Sequence, residues 1–258
     1  MNDTVPITRV PEVLLITGSS GIAAAVARMW GADDPVFIFG LNEKECCALA
    51  DELDTGYTVG DVRDETAIQR GVSECLDRFG RIHALMNVAG ISARSLGDGP
   101  LHQCSSEAWD TVMDLNAKGT FLMCREVPAM WTKTRHSGVI LNTGSVLARH
   151  PQREHFATAG YAASKGAIEA MSIAAAAYYA PEGIRVNVLA PGLVHTPMTQ
   201  RAQKNPEITK YMAHKQPLRK GMLTAEDIAK TACFLLHQDS SPITGQIVNV
   251  DAGWTVSE

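Results

Sequence analysis

Seven short apolar runs, separated by helical patterns, constrain this chain more than any single residue does. The runs at 13–17, 36–40, 57–59, 84–88, 139–143, 185–190 and 246–250 are mostly apolar at successive positions rather than at every second one. Such a strand has no solvent face, so other elements must cover both of its sides. Between the runs lie helix candidates at 22–30, 43–53, 65–79, 106–132, 161–179 and 225–236. This alternation predicts parallel βαβ units with helices on both faces of one sheet. No Pro/Gly/Ser-rich linker, internal repeat or low-complexity tract divides the 258 residues. The expectation is an α/β fold: a doubly wound parallel sheet of about seven strands in a single domain.

Composition narrows the partners. A net charge of −5 and the lack of a basic run interleaved with aromatics argue against nucleic acid. No stretch approaches the ~20 apolar residues of a membrane span, and residues 1–13 lack an apolar core of leader length. Cys46, Cys47, Cys75, Cys104, Cys124 and Cys233 form no Cys-x-x-Cys pair, and no histidines cluster at zinc-ligand spacing. These thiols read as reduced, in a soluble cytoplasmic protein without a metal site.

In open parallel sheets, ligands bind beyond the carboxyl ends of the strands. The residues that follow the strand candidates are therefore the ones to read for chemistry. Gly18 and Gly21, in "TGSSGIA", follow the first strand and open a helix, the context in which backbone N–H groups cradle a pyrophosphate. Small residues also suit any tight strand–helix corner, so this stretch alone leaves both readings open. Asp61, in "GDV", can accept a hydrogen bond from an adenine amino group. Asn87, Ala89 and Gly90, in "NVAG", allow a ribose to approach. At Leu41 and Asn42, after the second strand, there is neither the acid that would bind an NAD ribose nor an arginine for the NADP phosphate. With Asp33 and Asp34 nearby and no cation in the glycine loop, the reading leans to NAD(H) over NADP(H). The polar segment 197–221 fits no strand slot and reads as a lid or mobile loop.

Ser145 ends the fifth strand, and Tyr161 and Lys165 follow in "YAASK". Four residues apart, Tyr161 and Lys165 share one helix face. An ammonium beside a phenol lowers the phenol's pKa, which suits a general acid/base for a hydroxyl or carbonyl. Spacing alone is weak evidence, since Tyr211 and Lys215 are also four apart; that pair, lacking a preceding serine, reads as a solvated helix face.

Taken in order, "TGSSGIA", "GDV", "NVAG", "DLNAKG", "LNTGS", "YAASK", "GIRVNVLAPGLVHTPM" and "ITGQIVNVDAG" resemble the short-chain dehydrogenases/reductases over nearly the whole chain. The resemblance implies a Rossmann-type domain, a nicotinamide cofactor and a homo-oligomer, tetramer or dimer. It implies that Tyr161 is the proton donor/acceptor and that Lys165 holds the nicotinamide ribose and lowers the tyrosine's pKa. Ser145 would orient the substrate oxygen, and Asn116 would position a water relaying protons through Lys165. The implied cofactor set is Gly18, Ser20, Gly21, Ile22, Leu41, Asp61, Val62, Asn87, Ala89, Gly90, Tyr161, Lys165, Pro191, Gly192, Val194 and Thr196.

The sequence also departs from the family pattern. The glycine motif is one residue short, and its last glycine is Ala23. The interval from Ser145 to Tyr161 is longer than usual and carries Arg149, His150, Arg153 and His155. One of these cations is a candidate for recognising a polar or anionic substrate group; a solvated loop is the alternative. Two functions follow: an oxidoreductase interconverting a secondary alcohol and a ketone, or a non-catalytic nucleotide-binding or regulatory protein with a degraded glycine loop.

Overall fold

The apolar runs form seven parallel strands: β1 (Leu14–Thr17), β2 (Val36–Gly40), β3 (Gly56–Val59), β4 (Ala84–Asn87), β5 (Gly138–Thr143), β6 (Ile184–Pro191) and β7 (Ile247–Val250). The computed structural model describes residues 11–257, so the expectation of no leader in residues 1–13 falls largely outside them. The sheet order is β3-β2-β1-β4-β5-β6-β7, with Leu14 opposite both Val36 and Ala84. The helices are α1 (Gly21–Trp30), α2 (Glu43–Leu53), α3 (Glu65–Phe79), α4 (Ser106–Val112), α5 (Gly119–Thr134), α6 (Arg153–Phe156), α7 (Ala159–Tyr179), α8 (Gln200–Gln203), α9 (Pro206–Lys215) and α10 (Ala225–Leu236).

Alternation along each strand splits the core in two. Leu14 and Ile16 of β1 pack with Ala23–Ala27 of α1 and with Ile228, Ala229 and Ala232 of α10. Leu15, on the other side, packs with Ile68 and Val72 of α3 and with Leu122 and Val127 of α5. This is the doubly wound Rossmann-type fold that the sequence predicts. Residue 106 does open a helix, but the expected single helix 106–132 is interrupted. Met113–Lys118 forms a π-helical segment between α4 and α5.

Residues 197–221 hold α8 and α9 rather than a bare loop. Ile208 and Met212 of α9 are buried with Val146, Phe156 and Trp254. The Tyr211/Lys215 pair is therefore not a solvated face. Lys215 is buried with Nζ donating to the Ser257 carbonyl, and Tyr211 donates to Gln152 Oε1 at 2.7 Å.

His83, just before β4, accepts the Val13 N–H through Nδ1 at 2.8 Å, and burial pushes its imidazole down to about 4. The unfolded chain takes up this proton at the ordinary histidine pKa, ~6.5. The neutral ring's contribution is thus complete above about pH 6.5 and is lost as pH falls towards 4. The urea midpoint of the wild type should therefore drop over that range, and His83→Gln should flatten the drop. An equal drop in both proteins would assign the acid sensitivity elsewhere.

Candidate active site

The strand order reverses between β1 and β4, and a cleft opens at their carboxyl ends, as an open parallel sheet requires. Thr17 fastens this crevice: its Oγ1 accepts the N–H groups of Val88 and Ala89 at 3.0 and 3.1 Å. The cavity above it, about 300 Å³, is lined at one end by Gly18–Ala23 and Val88–Gly90.

The glycine turn has the conformation its residues allow. Gly18 has φ +104° and Gly21 φ +54°, both in the region that favours glycine. A Cβ on Gly18 would lie 3.1 Å from the Ala23 methyl, so the short loop accommodates Ala23 only because residue 18 has no side chain. Ser20, the N-cap of α1, makes no side-chain cap bond, which leaves first-turn N–H groups available to an anion. Thr143 Oγ1 is buried in the same cleft without a partner among the described residues. A Cβ on Gly90 would stand 3.1 Å from Asn116 Oδ1 and 3.6 Å from Lys165 Nζ. An open cradle of backbone donors with an unsatisfied hydroxyl fits a dinucleotide.

Ser145, Tyr161 and Lys165 line the same cavity. Ser145 leaves β5 as the N-cap of a short 3₁₀ turn. Tyr161 and Lys165 project from the first turns of α7. The N-cap Thr158 gives this helix no side-chain cap; Asp98 supplies one instead, its two oxygens accepting Gly160 N–H and Tyr161 N–H at 2.9 Å each. Ser164 donates to the Tyr161 carbonyl and accepts from Asn116 Nδ2 at 3.0 Å. The Asn116 side chain also donates to the Ile91 carbonyl and accepts Ile91 N–H, so it ties the π segment to the β4 exit. Asn116 is fully buried and its amide does not face the cavity.

Burial raises the Tyr161 phenol above its ordinary value, and its hydrogen bond with Ser145 opposes the rise. Lys165 Nζ lies 5.7 Å from the centre of the Tyr161 ring and donates to the Thr143 carbonyl at 2.8 Å. Its own ammonium is lowered by burial to about 8. The hydrogen bond with Ser145 thus favours the phenolate against the cost of burial.

Of the expected cofactor residues, Gly18, Ser20, Gly21, Ile22, Ala89, Gly90, Tyr161, Lys165, Pro191, Gly192, Val194 and Thr196 line the cavity; Leu41, Asp61, Val62 and Asn87 do not. The Asn87 side chain is buried and donates to Asn142 Oδ1 at 2.8 Å, bracing β4 against β5. Asp61 is held by Arg63 at 2.6 Å, which keeps its carboxyl below the ordinary range. Val62 is buried, and Leu41 is exposed beyond β2. None of Arg149, His150, Arg153 and His155 lines the cavity; Arg149 pairs with the buried Glu169 at 3.2 Å. The sequence reading also misses Ser92, Arg94, Phe156, Met198, Arg201 and Trp254, which form the cavity's other end.

Comparison with known proteins agrees with this geometry. The model of a family described as enoyl-(acyl carrier protein) reductase matches residues 16–255. A 2-(R)-hydroxypropyl-CoM dehydrogenase of Xanthobacter autotrophicus is 35% identical over 198 residues, 76% of each chain. The structure of a short-chain type dehydrogenase/reductase from Mycobacterium ulcerans superposes with a TM-score of 0.88 at 28% identity, covering 96% of this chain and 90% of that one. A 3-ketoacyl-(acyl-carrier-protein) reductase from Brucella melitensis complexed with NADH gives 0.84 at 28% identity, over 95% and 98%. With its glycine cradle, buried lysine and cavity-lining tyrosine, the chain belongs to the short-chain dehydrogenase/reductase family and is an NAD(P)-dependent oxidoreductase acting on CH–OH groups.

Proposed function

We propose that this enzyme interconverts a secondary alcohol and a ketone with NAD(H), using Tyr161 as its acid/base. The observation that carries this reading is the convergence of Ser145, Tyr161 and Lys165 on the cavity that the glycine turn opens. The nicotinamide, when bound, supplies the hydride donor or acceptor. Tyr161 gives a proton to the carbonyl oxygen in reduction and takes one from the alcohol in oxidation. Ser145 holds that oxygen by hydrogen bonding as charge develops on it. Lys165 holds the ribose hydroxyls and favours the phenolate, and Asn116 sets the π segment that borders a proton path through Lys165.

The cofactor set is the glycine turn with Ser20 and Ile22, then Ala89 and Gly90, and finally Pro191, Gly192, Val194 and Thr196. Leu41, Asp61, Val62 and Asn87 remain candidates for the adenosine end. The preference for NAD(H) rests on Glu45, whose carboxylate accepts from Ser19 Oγ in the glycine turn at 3.0 Å. A 2′-phosphate there would meet like charge, and Arg63 is already neutralised by Asp61. Segment 197–221 closes over the substrate as a lid. Exposed Phe121, Ile173 and Tyr178 on α5 and α7 support a homo-oligomer, tetramer or dimer. The six free thiols support a cytoplasmic location.

Fluorescence titration with NADH and NADPH separately, followed by a panel of alcohols and ketones at 340 nm, tests the reading. Tighter NADH binding and turnover of secondary alcohols are expected; failure to bind either cofactor would overturn it. Inserting one residue after Gly18 together with Ala23→Gly should tighten the cofactor Kd several-fold, because it restores the length and the third glycine of the family's pyrophosphate loop. An unchanged Kd would mean the short loop is fully accommodated.

A further inference from the structure

The substrate end of the cavity holds two arginines from distant parts of the chain. Arg94 lies in the 3₁₀ turn after β4, and Arg201 lies in α8 of the lid segment. Their guanidinium groups converge on one carbonyl: Arg94 Nη2 donates to His155 O at 3.0 Å and Arg201 Nη2 to the same oxygen at 3.1 Å. Arg94 Nη2 also donates to Ala157 O at 3.1 Å. Each guanidinium carries five N–H donors, so most of them remain without a partner among the described residues.

Neither arginine forms an ion pair among the described residues, and no acidic residue lines the cavity. The carboxylate that attracts Arg94 is Asp98, but both Asp98 oxygens are already engaged by the start of α7. Burial and the neighbouring positive charge of Arg201 lower the Arg94 pKa. Arg94 is half-buried and Arg201 exposed, and like charges held this close favour an anion that joins them. This cationic pocket also stands against a chain whose net charge is −5. Phe156, Met198 and Trp254 form an apolar wall of the same cavity.

We infer that Arg94 and Arg201 together bind an anionic group of the substrate, so that the preferred substrate is a hydroxy or keto compound with a carboxylate, sulfonate or phosphate terminus. This inference rests on the oxidoreductase reading of the site and adds its specificity. Guanidinium groups suit such oxyanions because two N–H donors meet two oxygens. Because Arg201 belongs to the lid segment and Arg94 to the β4 exit, an anion between them also draws the lid onto the sheet. Arg149, His150, Arg153 and His155 contribute only the His155 backbone carbonyl that holds the pair.

The test compares keto acids with their methyl esters, and keto sulfonates and keto phosphates of matching length. In the wild type, kcat/KM for the preferred anion should exceed that for its neutral ester by about tenfold or more, through KM. That ratio should fall towards one in Arg201→Gln and in Arg94→Gln. Arg94→Lys keeps a charge and should retain part of the ratio. Separately, sulfate, phosphate and acetate should raise the Tm of the cofactor-loaded wild type above a chloride control of equal ionic strength, and should do so less in Arg201→Gln. Neutral ketones turned over as well as acids, with no anion-dependent Tm shift, would overturn the anion site while leaving the oxidoreductase reading intact. A Tm shift lost in Arg201→Gln, without turnover of any carbonyl compound, would support the anion site and count against that reading.

Discussion

Tyr161→Phe is expected to lower kcat about a thousandfold, within the range general acid/base groups contribute, while NADH binding weakens far less than turnover. The argument starts from placement. The phenol lines the cavity beside Ser145, on a helix whose first turn is fixed by Asp98 from outside and by Ser164 from within. Phenylalanine keeps the ring and removes only the proton carrier. Ser145→Ala should lower kcat less, because it removes an orienting hydrogen bond and leaves the proton source in place. Steady-state kinetics at 340 nm in both directions, with cofactor Kd from fluorescence, separates the two effects. Turnover retained within tenfold in Tyr161→Phe would remove the tyrosine from the chemistry.

The sheet is legible in the sequence because its strands are buried on both sides. Leu14 to Thr17 are all buried, so no alternation hides the run. The starts of α2 and α3 are legible for a local reason too: Asn42 and Asp64 accept first-turn N–H groups, and such caps sit next to the helices they open. What the sequence hides is non-local or subtle in register. A six-residue π segment changes the hydrogen-bond partner by one residue while barely altering the apolar pattern, so 106–132 reads as one helix. Asn87 is visible as a polar residue at a strand end, yet its side chain lies between β4 and β5 rather than in the cleft. Arg94, Phe156, Arg201 and Trp254 come from four segments with no shared periodicity, and only the closed fold brings them together. The tyrosine–lysine pair was legible because one helix carries both.

Asp98 shows what such hidden contacts can control, and Asp98→Asn is expected to reduce both stability and rate. The carboxylate is buried and accepts two backbone N–H groups at 2.9 Å, one of them from Tyr161 itself. An amide in its place has one accepting oxygen and turns its NH₂ towards the other N–H. Losing one bond to a charged acceptor at a buried site costs about 1.5–3 kcal/mol. The first turn of α7 is then free to shift, and a small displacement of the reacting group lowers kcat about tenfold to a hundredfold. Thr158 cannot compensate, since it gives the helix no side-chain cap. Rates should be compared well below the melting points of both proteins, where each is fully folded. A purely structural role would lower Tm and leave kcat unchanged there; a positioning role lowers kcat in the folded enzyme. Asp98→Ala, which removes both acceptors, should extend the loss in the same direction. If kcat in folded Asp98→Asn equals that of the wild type, Tyr161 is held by the rest of α7 and the cap serves stability alone.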